Sequence, residues 1–75
     1  MTAKECINDL LKMGYTQYGN LYQKTTLGYI HTFVLTPEKV KYTAVRNWTY
    51  SIDVELDNLA FGSIQAIEES EKHGI

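Results

Sequence analysis

Cysteine is almost missing from this sequence: Cys6 is the only one among 75 residues. A single thiol excludes an intramolecular disulfide and any cysteine-based metal cluster. Small secreted domains usually depend on such staples, so the chain is expected in a reducing cytoplasm. Proline is equally scarce, with Pro37 alone, which excludes a proline-rich linker. No apolar run approaches the roughly 18 residues that a membrane-spanning helix needs. Met1–Glu5 lacks a basic start followed by an apolar stretch, so no secretory signal is expected. The five glycines are scattered and match neither a phosphate loop nor a dinucleotide fingerprint. With 44% apolar residues the chain is ordinary for a folded protein. Its length suits one domain, 1–75, with a stability of about 4–11 kcal/mol.

The local patterns then predict an α+β fold. Thr2-Ala3-Lys4-Glu5 has the form of a capping box, and Ala3, Ile7, Leu10 and Leu11 follow at helical spacing. Gly14 sits where such a helix would stop, giving a helix over Ala3–Met13 with Cys6 on its buried side. From Tyr15 the period alternates. Tyr18–Lys24 is a strand weakened by Gly19-Asn20, which marks a bulge or a turn. Thr25–Gly28 suits a turn, and Tyr29–Leu35 carries bulk on both faces, as a central strand does. Val40–Arg46 returns after Thr36-Pro37. Trp48, Tyr50, Ile52, Val54 and Leu56 then alternate with Thr49, Ser51, Asp53 and Glu55, one face buried and one wet. After Asp57-Asn58, either of which can cap, Ala60, Ile64 and Ile67 form a helical stripe beside Leu59 and Phe61, with Gly74 as a stop. The expected layout is an antiparallel meander of three to four strands between two terminal helices, α-β-β-β-β-α.

Residues for catalysis are few. His31 and His73 have no ligand spacing around them, and His31 in a central strand reads as a hydrogen-bonded strand histidine. Asp53, Glu55 and Asp57 alternate along one strand face, whereas paired-carboxylate chemistry needs acids across a cleft. The reading is a non-enzyme with no cofactor and no metal.

Charge is segregated along the chain. Up to Ile52 six basic residues stand against three acidic ones, a balance of +3. From Asp53 onward six acids (Asp53, Glu55, Asp57, Glu68, Glu69 and Glu71) stand against Lys72, a balance of −5. Glu68, Glu69 and Glu71 crowd the end of the second helix, where negative charge opposes the dipole. Such a quarter is able to dock a protein partner with a basic surface. Aromatic residues are plentiful, and Tyr18, Tyr22, Tyr29, Tyr42 and Tyr50 fall in predicted strands. Tyrosine serves interfaces well, so Tyr50 joins the candidate partner-binding residues. The same rings, with Lys24, Lys39, Lys41 and Arg46 among them, define a rival reading as a nucleic-acid-binding sheet face. Net negative charge argues against it. A homo-oligomeric accessory role is the third reading.

Double-stranded-RNA-binding domains share the layout but open their second helix on lysines, where this chain has Asp57–Ser63 without one. In size, single-domain economy and acidic end the whole chain resembles the small phage-encoded inhibitors of bacterial defence, such as anti-CRISPR proteins. That resemblance implies an acidic α+β domain occupying a nucleic-acid site on its target, in the host cytoplasm. It gives weight to Asp53, Glu55, Asp57, Glu68, Glu69 and Glu71.

Overall fold

The computed structural model describes residues 2–26, 28–59 and 63–70. Helix α1 covers Ala3–Lys12. The Thr2 hydroxyl accepts from the Glu5 amide at 3.2 Å, and the Glu5 carboxylate accepts from the Thr2 amide at 3.0 Å. These reciprocal bonds satisfy two otherwise orphan donors and hold the Glu5 carboxyl below its ordinary range. The helix stops where expected. Gly14 adopts φ +93°, its amide donates to Leu11, and the Tyr15 amide reaches back to Leu10 at 3.1 Å. A side chain at Gly14 would strain this left-handed turn.

Five strands follow: β1 (Thr16–Tyr18), β2 (Leu21–Thr26), β3 (Tyr29–Leu35), β4 (Lys39–Val45) and β5 (Thr49–Glu55). They form one antiparallel sheet in chain order, with β3 at its centre. The expected count of three to four strands is therefore corrected to five. Gly19 and Asn20 are a two-residue reversal, with Tyr18 opposite Leu21, so the single strand expected over Tyr18–Lys24 is two. Gly19 takes φ +64°, and the Gln17 amide group braces the turn by donating to the Gly19 carbonyl and the Tyr22 hydroxyl. Leu56–Asn58 make one 3-10 turn, and helix α2 covers Ser63–Ser70. The expected cap at Asp57 or Asn58 is thus displaced, since those residues belong to that separate turn. Ala60, Phe61 and Gly74 lie outside the described residues.

Both helices cover the same sheet face. Cys6 and Leu10 from α1 and Ile64 and Ile67 from α2 meet Tyr22, Phe33, Val40, Tyr42 and Ala44 in one core. Alternation sets this out strand by strand, because successive side chains point to opposite faces. The strand positions between these core residues form a helix-free face. Trp48, expected to be buried, lies in the turn before β5 and is exposed, and the expected burial of Tyr50, Ile52 and Val54 is only partial. Their strand is an edge, so a neighbour covers them on one side only.

Candidate functional site

The strand register decides what the charged residues meet. On the helix-free face Asp53 stands opposite Lys41, and Glu55 opposite Lys39. Cross-strand pairs of this kind bring β-carbons within about 5 Å, close enough for opposite charges to favour each other. The division of charge along the chain is therefore not a division in space: the two lysines of β4 lie beside the two acids of β5. In both rows the carboxylate occupies the outer position, at the open edge of the sheet.

Asp57, exposed in the 3-10 turn, continues the acids round the end of β5. It joins Pro37, Glu38, Lys39, Glu55 and Leu56 in lining a hollow of about 440 Å³. The Leu56 amide donates to the Glu38 carbonyl at 2.9 Å and ties the β3–β4 turn to the end of β5. On the other side of β5, Ile52 and Val54 face Leu59, Ala66 and Ile67 across an apolar groove of about 260 Å³. This groove is open to solvent, and its strand residues belong to the same edge strand. It exists because α2 packs on the core through Ile64 and Ile67 and leaves the inner side chains of β5 half covered.

The other sequence candidates separate. Glu69 is exposed on α2, and Glu71 lies outside the described residues. Glu68 is turned inward. Its carboxylate accepts from the Tyr15 hydroxyl at 2.6 Å and pairs with the Lys24 ammonium at 3.0 Å, and Lys24 also donates to the Met13 carbonyl. Lys24 lies 4.6 Å from the centre of the Tyr15 ring. This group links α1, β2 and α2 and gives Glu68 a fixed internal task. Tyr50 is on the inner face too, opposite in direction to Asp53 and Glu55; its hydroxyl accepts from Ser70 at 3.2 Å. It therefore shares the edge with the acids but not their face.

Three of the six tyrosines are core. Tyr15, Tyr22 and Tyr42 are buried beneath the helices, whereas Lys39 and Lys41 are exposed on the opposite face. Lys39 and Lys41 are thus on the opposite side of the sheet from the buried tyrosines, whereas Lys24 and Arg46 lie against the rings of Tyr15 and Tyr29. His31, 3% exposed, approaches Thr26 Oγ1 at 2.8 Å through Nε2 and Tyr42 Oη at 2.6 Å through Nδ1. Tyr42 in turn donates to the Glu68 carbonyl at 3.2 Å. The three bonds are satisfied together when His31 carries its proton on Nδ1. Among the described residues no group of three or more His, Cys, Asp or Glu side chains is placed to hold a metal ion. Cys6 is wholly buried, and burial with the nearby Asp9 charge pushes its thiol up to about 11, far from a reactive thiolate. Among the described residues no helix is long and apolar enough to cross a membrane.

The sequence reading missed two features, the groove and the internal role of Glu68. The groove has no local signature, since Ile52 and Val54 meet Ala66 and Ile67 only through the fold. Glu68 did leave a trace: it follows Ile64 by four positions, on the side of the helix that the apolar stripe occupies. Comparison of the chain with protein-family models, curated proteins and solved structures found no match.

Proposed function

We propose that this chain is a non-enzymatic binding protein that works by occupying a surface of a protein partner, with the β5 edge as its contact region. The observation that supports this most is the meeting, along one open edge, of two carboxylates on one side and an apolar groove on the other. Protein interfaces combine an apolar centre with a polar rim in this way. The partner's contact surface is basic, because the outermost charges in both rows are Asp53 and Glu55. Asp57 extends that rim, and Glu69 is an exposed acid available on α2. Blockade of a nucleic-acid site, the role of the phage inhibitors that the layout resembles, draws on the same acids. Lys39 and Lys41 beside two of them reduce the field that a phosphate mimic needs.

Site-directed photocrosslinking in lysate of the source cell tests the reading. A photoreactive residue at Ser51, on the β5 edge, should give a discrete protein adduct. The same residue at Lys12, exposed on α1, should give none. Asp53→Lys with Glu55→Lys should lower the Ser51 adduct at low salt by about tenfold or more, because steering is lost and like charges meet. Equal labelling from Ser51 and Lys12, or an adduct indifferent to charge reversal, would overturn the assignment of this edge.

A further inference from the structure

We infer that the free edge of β5 is a strand-addition site, which takes an extended segment of a protein partner with basic residues alternating with apolar ones. This inference rests on the binding reading above and specifies the partner's chemistry.

The backbone comes first. Among the described residues β5 pairs with a strand on one side only, β4, and its other side presents seven residues of extended backbone. Exposed sheet edges are usually blunted by charged side chains, lysine above all, by proline or by a bulge. The charges of β5 are the two acids Asp53 and Glu55, which an oppositely charged strand would neutralise. Thr49–Glu55 contains neither lysine nor proline, and its register with β4 runs residue by residue without a bulge. The opposite edge, β1, is three residues long and offers far less ladder.

The side chains then choose what pairs there. An added strand points alternate residues to opposite sheet faces. Those on the inner side meet the groove between Ile52, Val54 and α2, which is apolar and open to solvent. Those on the outer side extend the two charged rows, each of which runs lysine then carboxylate. The next position in each row faces Asp53 or Glu55, so a cation two residues from another cation completes both. Apolar residues between and beside them fill the groove.

The same rows exclude a second copy of this chain as the preferred occupant. Thr49–Glu55 has no lysine or arginine. Pairing β5 with itself therefore brings Asp53 opposite serine, threonine or another carboxylate when the apolar faces are kept aligned. None of these supplies the missing cation.

The test uses the whole chain, isotopically labelled, and a seven-residue synthetic peptide of alternating lysine and valine. Titration should shift the amide signals of Thr49–Glu55 and the groove residues of α2, and saturate. Two further peptides carry N-methyl groups on either the odd or the even residues. One pattern removes the donors that face β5 and should weaken binding by about 10–100-fold, the worth of two to three hydrogen bonds; the other should bind normally. A glutamate–valine peptide should bind at least about tenfold more weakly than the lysine one. Ala66→Phe, which fills the groove from an exposed helix position, should abolish binding with the spectrum otherwise folded. Equal binding of both N-methyl patterns, indifference to peptide charge, or no binding overturns strand addition. Self-association through Thr49–Glu55 in sedimentation overturns it in favour of a second copy. Crosslinks from Ser51 that persist when the peptide fails leave the binding reading standing; loss of both removes that reading as well.

Discussion

Phe33→Ala should lower the unfolding free energy by about 3–5 kcal/mol, a loss that matches the lower end of the stability expected for a chain this size. Phe33 is fully buried at the centre of β3, with Tyr22 opposite it on β2 and Tyr42 opposite it on β4. Its ring meets Tyr15 edge-on at 5.3 Å and Tyr42 at 4.8 Å between centroids. Removing it strips contacts from both neighbouring strands and from the segment that follows α1. The surrounding rings are also held by hydrogen bonds at their far ends, Tyr15 to Glu68 and Tyr42 to His31 and Glu68, so they are poorly able to collapse into the space. Urea unfolding measures the effect, and Phe33→Leu, which keeps most of the volume, should cost far less. A loss below about 1 kcal/mol for the alanine variant would mean that this core does not hold the sheet to its helices.

How much of this could be read from residues alone depends on the range over which each feature is encoded. Helix α1 was legible because its start lies within four residues, Thr2 to Glu5, and its stop within three, Met13 to Tyr15. The central place of β3 was legible from bulk on both its faces. The extra strand was not, because Gly19-Asn20 permits both a bulge and a reversal. What decides is the partner geometry that sets Tyr18 against Leu21. The charge pattern shows the limit most clearly. Sequence order separates Lys41 from Asp53 by 12 positions and Lys39 from Glu55 by 16, yet the register places each pair side by side. Register comes from the length of the β4–β5 connection together with the need to keep Tyr42, Ala44, Ile52 and Val54 on one face. A slip of β5 by one residue would turn Ile52 and Val54 to the opposite face, away from Tyr42 and Ala44.

The internal role of Glu68 marks a second limit. Counted with Glu69 and Glu71, it looked like part of an acidic helix end. Neighbouring helical positions lie about 100° apart, so Glu68 and Glu69 cannot share a face. Its partners, Tyr15 and Lys24, are 53 and 44 residues away. An acid placed on the apolar stripe calls for a buried donor somewhere, but only the fold names it. With Glu68 engaged inside, the acids left for a partner are those at the β5 edge and its continuation, together with Glu69 on α2.

Alkaline pH should destabilise the protein through two groups that the fold keeps protonated. Burial, aided by the Asp9 charge, pushes the Cys6 thiol from an ordinary value near 9 up to about 11. Burial and the hydrogen bond to Glu68 likewise raise the Tyr15 phenol above its ordinary value near 10. Both are acids that ionise more readily in the unfolded chain, so above their ordinary values the unfolded state binds fewer protons than the folded one. Stability then falls as pH rises, by about 1.4 kcal/mol per pH unit for each such group. The Cys6 contribution is intact below about pH 9 and lost by about pH 11, amounting to roughly 2–3 kcal/mol. The Tyr15 contribution begins near pH 10 and continues upward. Urea midpoints between pH 8 and 11 for wild type, Cys6→Ala and Tyr15→Phe separate the two. Cys6→Ala should flatten the decline from about pH 9, while Tyr15→Phe should follow the wild-type decline to about pH 10 and flatten only above it. Each substitution also carries a pH-independent cost, from the lost thiol contacts or from the lost bond to Glu68, which shifts a curve without changing its slope. Parallel curves for wild type and Cys6→Ala between pH 9 and 10 would show that the thiol meets water in the folded protein and that α1 does not seal this side of the core.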